Sequence, residues 1–519
     1  MFIGLQYWSL LLSLFTMACL LFLYIWTKER KSSEVPSSVK GLRLPPGPPG
    51  LPVIGNFFDI PKEREWEAPT RWARKYGDLV SIKIMGEPVV FINSLEAAHD
   101  LFDKRGAMYS DRADFNMADL VGWRFALNLM RYGTTWRRHR RAFHQHFYPA
   151  AAARYQDIQV RQTREFLWKL RATPDEFLKV IQELTTSTIM EVVYGLKVQS
   201  SNDRYYKVVD KALEGLAKVT TSPGVYMIDH LPFLKYMPEW IPGAGFKKTA
   251  KKWGELTKAM YMEPFAEVKK AMSAGTAESC VVTTLLEGLP DQRVIQDDDE
   301  DVVRNSAGIA FAAAVSTVAA VVSGFFLAMV LYPETQKKAQ EELDRVIGAD
   351  RLPEFQDSKN LPYVMALCAE LQRWRPVLPL AFAHRVMEDD FYRGYFIPKD
   401  SLVVGNAWQI LHDEKVYGPR PEEFEPERFF QPGISIPTMQ YGFGRRICPG
   451  RYMADNSVFI AVASILHVFH ISHATDNNGK EIPVKPAYKS GIVIAPEPFK
   501  CSIKPRSPTA DKIISGLGE

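Results

Sequence analysis

Residues 441–450 read Tyr-Gly-Phe-Gly-Arg-Arg-Ile-Cys-Pro-Gly. One cysteine, Cys448, stands among Gly442, Gly444 and Gly450, just ahead of a stretch from Arg451 to about Phe469 that reads as a helix. Glycine admits positive φ and lets a flat ligand come close to the backbone. A thiolate aimed out of such a loop is a soft, strongly donating ligand, and the adjoining helix N-terminus stabilises it as an anion. Taken alone, a cysteine packed beside an ordinary turn is the simpler reading. The fixed spacing of Tyr441, Gly442, Gly444, Arg446, Cys448 and Gly450 is what argues for more.

At this spacing the loop resembles the haem loop of the cytochrome P-450 family of haem-thiolate monooxygenases, which has Phe where this chain has Tyr441. The resemblance implies haem b with Cys448 as its proximal ligand. Phe443, Gly444 and Arg446 fall on the cofactor-binding part of the same loop. A thiolate axial ligand pushes electron density onto iron and favours cleavage of the O–O bond.

Length and charge bound the rest. A chain of 519 residues suggests about three domains on length alone. No repeat or interior linker divides it after residue 60, so one large catalytic domain is expected over 53–519. A net charge of +4 is small for this size and gives no case for nucleic acid. The five cysteines (Cys19, Cys280, Cys368, Cys448, Cys501) show no paired CxxC spacing, which argues against a disulfide framework and for a reducing cytosolic setting.

Positions 1–27 carry no charged residue, and Leu5 to Trp26 is almost wholly apolar, long enough to span a bilayer. A cleaved signal peptide has a basic start and a shorter apolar core, and neither is present. Lys28, Arg30 and Lys31 follow at once, which leaves the remaining chain in the cytosol. The expectation is a transmembrane anchor at 1–27 and a hinge at 28–52, basic at first and ending in Pro45-Pro46-Gly47-Pro48-Pro49-Gly50-Leu51-Pro52. Clustered prolines favour a stiff extended chain. Microsomal members of the family have a similar hinge. The expected placement is a single-pass endoplasmic reticulum membrane protein with its catalytic domain in the cytosol.

Further motifs agree with the resemblance. Leu79 to Ile84 and Pro88 to Ile92 read as a hairpin around Gly86-Glu87. Trp136 and Arg140 are four apart and share a helical face. They match the family's Trp-x-x-x-Arg, whose side chains reach a haem propionate. Arg137, Arg138 and Arg141 leave the same helix elsewhere and could dock an acidic reductase. His139, His144 and His146 have no acidic or cysteine partner nearby in sequence, so zinc is not expected. Residues 105–135 and 150–300 carry no chemical signature, and the acidic run at 297–301 reads as a solvated loop or a helix start.

Asn305 to Pro333 holds no charge and competes as a second transmembrane span. Asn305, Ser306, Ser316, Thr317 and Ser323 interrupt it, and the family's central helix, buried all round, has the same hydropathy. In the family, Ala/Gly-Gly-x-Asp/Glu-Thr on this helix opens room for dioxygen and delivers protons. Here Ala314 stands for the glycine and Ser316 for the acid, and Thr317 alone is kept. A hydroxyl can pass protons through ordered water but cannot supply a titrating carboxylate. Thr317 and Ser316 are therefore the candidate catalytic residues.

Glu370 and Arg373 lie three apart, and Arg428 in Pro426-Glu427-Arg428-Phe429 completes a carboxylate–guanidinium set that matches the family's structural triad. Pro376 to Ala383 is expected to line the pocket, with Ala383 where the family often has proline. Arg385 matches a further propionate contact and Arg446 another. Gly394 to Pro398 reads as a strand turn, and Gly491-Ile492-Val493 as a hairpin tip.

The resemblance covers about residues 40–506 and implies a mainly α fold with small β-sheets. It implies electrons from NADPH through an NADPH–cytochrome P-450 reductase, with cytochrome b5 as a second donor. It implies insertion of one atom of dioxygen into a C–H bond. The anchor and the apolar pocket residues favour a lipophilic small-molecule substrate. The stretches Arg43 to Asn56 and His384 to Asp400 look like fungal secondary-metabolism members, with a terpenoid as first choice and an aromatic polyketide or indole as alternatives. The altered central helix keeps a haem-thiolate isomerase or dehydratase open. A haem electron carrier or sensor is disfavoured because no second axial ligand is evident.

Overall fold

The computed structural model describes residues 43–198, 202–220, 227–241, 244–289 and 297–518. The apolar run at 1–27 and the basic start of the hinge lie outside the described residues. The chain divides into two compact units. Unit 1 takes the described residues up to Ala113, Phe382–Gln409 and Phe443–Arg445; unit 2 takes those from Asp114 to Ala381, from Ile410 to Gly442 and from Arg446 onward.

Unit 1 is built on β-structure. After α1 (Glu67–Tyr76) come β1 (Leu79–Ile84) and β2 (Glu87–Ile92), the hairpin expected from sequence. Its two turn residues, Met85 and Gly86, both have positive φ, 50° and 79°. That turn twist matches the right-handed twist of the flanking strands. Strands β3 (Asp111–Arg112), β4 (His384–Arg385) and β7 (Leu402–Gly405) complete a sheet of order β1-β2-β7-β4-β3. The parallel pair β2–β7, with Val89 opposite Leu402, joins segments about 300 residues apart in the chain. Strands β5 (Asp390–Tyr392) and β6 (Tyr395–Ile397) form a separate hairpin around Arg393-Gly394, where the sequence suggested a strand turn.

Unit 2 is helical. Its longer helices are α2 (Thr134–Phe147), α3 (Gln156–Ala172), α4 (Phe177–Tyr194), α5 (Arg204–Thr220), α6 (Gly245–Ser273), α7 (Asp297–Leu331), α8 (Pro333–Ile347), α9 (Pro362–Trp374) and α10 (Arg451–Val468). Strands β8 (Phe469–His473) and β9 (Cys501–Pro505) pair antiparallel. At 1.5 Å per residue α7 is roughly 50 Å long. It contributes to two apolar clusters. Val322, Phe325 and Phe326 pack with side chains of α3, α4, α8, α9 and α10, and Phe311, Ala312 and Val315 with α2, α4, α5 and α6. A helix apolar on every side belongs in such a position, as the sequence reading expected.

The region 105–135, unreadable from periodicity, folds as short pieces, including helical turns at Asn116–Leu120 and Trp123–Phe125. Met117, Trp123 and Phe125 are core side chains. The tip at Gly491-Ile492-Val493 forms no paired strands; a single bridge, Tyr488 to Pro496, closes it. The Ile494 amide, just beyond it, donates to the Val377 carbonyl at 2.9 Å.

Candidate functional site

The cysteine loop is held from several sides. The Cys448 amide donates to the Tyr441 carbonyl at 2.8 Å, and Gly450 serves as the N-cap of α10. Gly442 has φ +87° and Gly444 φ +53°. A Cβ on Gly444 would lie 2.0 Å from the Phe102 carbonyl oxygen, so no other residue fits there. Among the described cysteines Cys280, Cys368 and Cys501 are buried, and Cys448 is partly exposed. Loss of hydration pushes the Cys448 thiol up, while the Gly450 amide and the guanidinium groups of Arg140 and Arg451 pull it down. Burial takes Cys501 up to about 12 and Cys368 higher still, so both stay protonated and poor as ligands.

Around Cys448 in unit 2 the structure gathers three of the residues singled out from sequence. Arg140 on α2 donates to the Ile447 carbonyl at 2.7 Å. Its burial lowers its pKa and Cys448 raises it. Arg446 lies 4.4 Å from the centroid of the Trp136 ring and donates to the Met130 carbonyl at 2.8 Å. Trp136 is itself buried. Arg446 is thus stacked and hydrogen-bonded within the fold as well as placed in the loop. Sequence reasoning missed Arg451, whose Nη1 donates to the Cys448 carbonyl at 3.1 Å.

Thr317 and Ser316 stand on α7. Ala313 is exposed, and Ser316 and Thr317 partly so, on a helix whose neighbouring residues Phe311, Ala312, Val315, Ala319 and Ala320 are buried. The Thr317 hydroxyl donates to the Ala313 carbonyl at 2.8 Å. This commits its proton and leaves its oxygen free to accept. One turn away, Thr185 of α4 donates to the Val315 carbonyl at 3.1 Å. Thr185 was also missed. The signal for it was the run Thr185-Thr186-Ser187-Thr188, hydroxyl residues buried together in a helix.

Three of the expected cofactor residues, Arg385, Phe443 and Gly444, belong to unit 1. Arg385 on β4 meets Glu87 at 3.2 Å, and its Nε is buried without a hydrogen-bond partner among the described residues. Phe443 is buried and stacked on Phe102 at 4.9 Å. Arg112 donates to the carbonyls of Phe382 and Ala383 at 2.7 and 3.0 Å, fixing the segment where Ala383 leaves the backbone less constrained than proline would.

The triad forms as expected. Glu370 receives Arg373 Nε at 2.6 Å, Arg373 Nη2 at 2.8 Å and Arg428 Nε at 2.9 Å. Of the three histidines on α2, His139 Nδ1 lies 2.8 Å from the Thr135 carbonyl and His146 Nδ1 lies 3.2 Å from the Tyr155 hydroxyl. Among the described residues no cluster of His, Cys, Asp and Glu could hold a metal ion. One expectation needs correcting. Arg138 is not a free member of a docking face, because it pairs with Asp299 at 2.5 Å and Asp298 at 3.7 Å.

The family model for cytochrome P-450 matches residues 45–503. The chain is a member of the cytochrome P-450 family. It is 41% identical to cytochrome P-450 monooxygenase 208 of Postia placenta over 504 residues, 96% of each chain. It is 40% identical to cytochrome P-450 monooxygenase COX2 of Coprinopsis cinerea over 488 residues, 92% of each. It is 37% identical to tryptamine 4-monooxygenase of Psilocybe cyanescens over 491 residues, 92% of this chain and 96% of that one. This cytochrome P-450 is therefore a monooxygenase, an oxidoreductase of a family that holds haem through a cysteine thiolate. Its residues fit that group. Cys448 has an amide and two guanidinium groups about its sulfur. The exposed side of α7 at Ala313 and Thr317 carries no ionisable side chain.

Proposed function

We propose that this cytochrome P-450 hydroxylates a lipophilic, uncharged small molecule of fungal secondary metabolism, a terpenoid skeleton being the first choice. The observation that carries this reading is α7. From Asn305 to Leu331 it holds no charged residue, so the face it offers suits a neutral skeleton better than an ammonium group. The relative named tryptamine 4-monooxygenase favours a second reading, an indole or other aromatic substrate.

In this proposal Cys448 is the axial ligand, and Trp136, Arg140, Arg385 and Arg446 hold the carboxylates of haem b, with Phe443 and Gly444 shaping the loop. Bound haem would supply dioxygen activation, with electrons drawn from NADPH through a reductase and from cytochrome b5. The chain's own residues then divide the remaining work. Burial pushes the Cys448 thiol up, and the Gly450 amide and the charges of Arg140 and Arg451 pull it back toward the thiolate that a bound metal would take. Thr317 presents its oxygen on the exposed side of α7, where it can accept a hydrogen bond from ordered water, and can pass a proton on only by turning its own away from the Ala313 carbonyl. Ser316 offers a second hydroxyl without a carboxylate's charge. Thr185 fixes the Val315 carbonyl, and with it the register of both.

Residues 1–27 are proposed as a single-pass endoplasmic reticulum anchor, 28–52 as hinge and 53–519 as the cytosolic catalytic domain. The exposed Arg137 and Arg141 are the proposed contacts for the reductase.

The test is turnover on microsomes carrying this chain with a reductase, under isotopically labelled dioxygen. The panel should hold terpenoid skeletons, aromatic polyketides and indole amines. A terpenoid product carrying one labelled oxygen is expected. A labelled indole product would replace the substrate class, and a rearranged or dehydrated product without label would favour an isomerase or dehydratase. In the same membranes, the reduced carbon monoxide complex should show the red-shifted thiolate Soret band, and Cys448→His should abolish it.

A further inference from the structure

Glutamine is seldom a core residue, yet Gln159 on α3 is 1% exposed. Its amide is held from α10: Nε2 donates to the Met453 carbonyl at 3.0 Å and to the Ser457 hydroxyl oxygen at 2.7 Å. Turning the amide over would set its oxygen against the Met453 carbonyl, so that carbonyl fixes which end is which. Oε1 is then left buried without a hydrogen-bond partner among the described residues. An acceptor in that state carries the full cost of its lost hydration.

Gln159 lines a pocket of about 30 Å³ between α3, α4, α7 and α10, all in unit 2. Thr185 and Thr188 line it from α4, Ser457 from α10, and Ala314 and Val318 from α7. Roughly 10–15 Å³ holds one water where two to four polar partners surround it. The pocket therefore has room for one or two, and the partners are there. Thr188 gives its proton to the Leu184 carbonyl at 2.7 Å, and Thr185 shares its own between the carbonyls of Gln182 and Val315, both at 3.1 Å. Each of these hydroxyl oxygens can still accept, as Gln159 Oε1 can. Ser457 receives Gln159 Nε2 and, as a hydroxyl, can donate as well.

We propose that this pocket is a binding site for ordered water, with one molecule bonded to Gln159 Oε1 and to hydroxyl groups of α4 and α10. The site selects water over an apolar guest, because a hydrocarbon there would strand the glutamine oxygen. A bridging water is nearly as good as a direct hydrogen bond, and displacing it by a group that cannot reproduce its bonds is a loss. Together with Thr185 on the Val315 carbonyl, the water completes a polar seam against α7, which has no charged residue from Asn305 to Leu331. The seam ties the helix that follows the cysteine loop to the helix that carries Ser316 and Thr317.

The experiment is a double-mutant cycle in the full-length holoenzyme, read as the midpoint of urea unfolding. Val318→Ile adds one methylene at the pocket wall. In a dry void it would fill space and raise the midpoint. In a hydrated site it displaces water and leaves Gln159 Oε1 without a partner, so the midpoint is expected to fall. Gln159→Leu keeps much of the side-chain volume and removes the amide. In that background the same Val318→Ile is expected to raise the midpoint. A fall in the first background with a rise in the second supports the proposal. A rise or no change in the first overturns it, and so does an equal fall in both, the mark of overpacking. If Gln159→Leu does not fold, a crystal structure of the wild-type holoenzyme decides. An ordered water within hydrogen-bond distance of Gln159 Oε1 supports the proposal, and a pocket without one overturns it.

Discussion

Replacing Glu370 with alanine is the most direct test of what holds unit 2 together. Glu370 and Arg373 have no exposed side-chain surface, and Arg428 has 1%. Glu370 Oε1 accepts from Arg428, Arg373 and the Glu425 amide, and Oε2 from Arg373. Truncation leaves Arg373 in the core without a counter-charge and Arg428 with only the carboxylate of Glu425 at 3.4 Å. The Arg373 and Arg428 bonds to the carbonyls of Leu411 and Tyr417 satisfy some donors but no charge. Breaking a buried pair by removing one partner costs about 3–5 kcal/mol, the range expected for Glu370→Ala. Glu370→Gln keeps the oxygen that serves three donors and loses the other, so its cost falls between wild type and alanine. Urea unfolding followed by tryptophan emission reads this, Trp374 being one of the chain's tryptophans, buried beside Arg373 and donating to the Glu422 carbonyl at 2.8 Å. Glu176→Ala, which breaks an exposed pair with Lys179, is the control and should leave the transition in place. A loss for Glu370→Ala no larger than the control's would refute the argument that the triad is a desolvated charge network.

Three other perturbations have definite expected outcomes. Ser316→Asp restores a carboxylate beside Thr317 and should raise product formed per NADPH consumed by about tenfold or more; equal, tight coupling in both enzymes would remove Ser316 from the proton path. Arg137→Glu with Arg141→Glu, both exposed positions, should weaken reductase-driven reduction in a salt-dependent way, whereas Arg138→Ala, already paired with Asp299, should leave that rate unchanged in stopped-flow measurements. Burial pushes His146 down to about 4. Its folded pKa lies below the unfolded value of about 6.5, so the unfolded chain takes the proton first and stability rises with pH across that window. The contribution is fully present above pH about 6.5, is lost as pH falls toward about 4, and is on the order of 3 kcal/mol. Urea midpoints of His146→Gln between those limits should be flatter than those of wild type.

What could be read from the chain alone was chemistry tied to short local spacing. The cysteine loop, Trp136 with Arg140 on one helical face, and Glu370 with Arg373 three apart all sit within a turn or two of their partners. The β1–β2 hairpin came out one residue longer at Glu87, because the turn is Met85-Gly86. The residues missed act across the fold. Asp455 accepts from the Tyr441 hydroxyl because α10 brings it to a tyrosine 14 positions earlier, and Thr185 reaches the Val315 carbonyl because α4 packs on a helix 130 positions later. Neither is marked by residue type, since an aspartate or threonine on a helix is ordinary. The region 105–135 gave no period because its apolar side chains serve short turns, where neither 3.6 nor 2 applies.

The central helix shows how charge at one end changes the meaning of hydropathy along the rest. By length and composition α7 would cross a membrane. The acidic run at its start, read as a solvated loop or a helix start, is its first turns. Acidic side chains there complement the positive end of the helix dipole. They also make specific contacts: Asp299 with Arg138 on α2, Glu300 with Lys269 on α6 at 2.8 Å, and Asp301 with Arg304 at 2.6 Å. Surface pairs of this kind add little stability each, but they fix rotation and translation of the helix at one end. The uncharged remainder has no polar pattern to set its register, so the end contacts and single grips such as Thr185 on the Val315 carbonyl must do it. That register decides that Ala313 and Thr317, rather than Val315 or Ala319, face outward from the packed core. The same arginine that looked like part of a docking face is therefore better understood as one of the groups that aim Thr317.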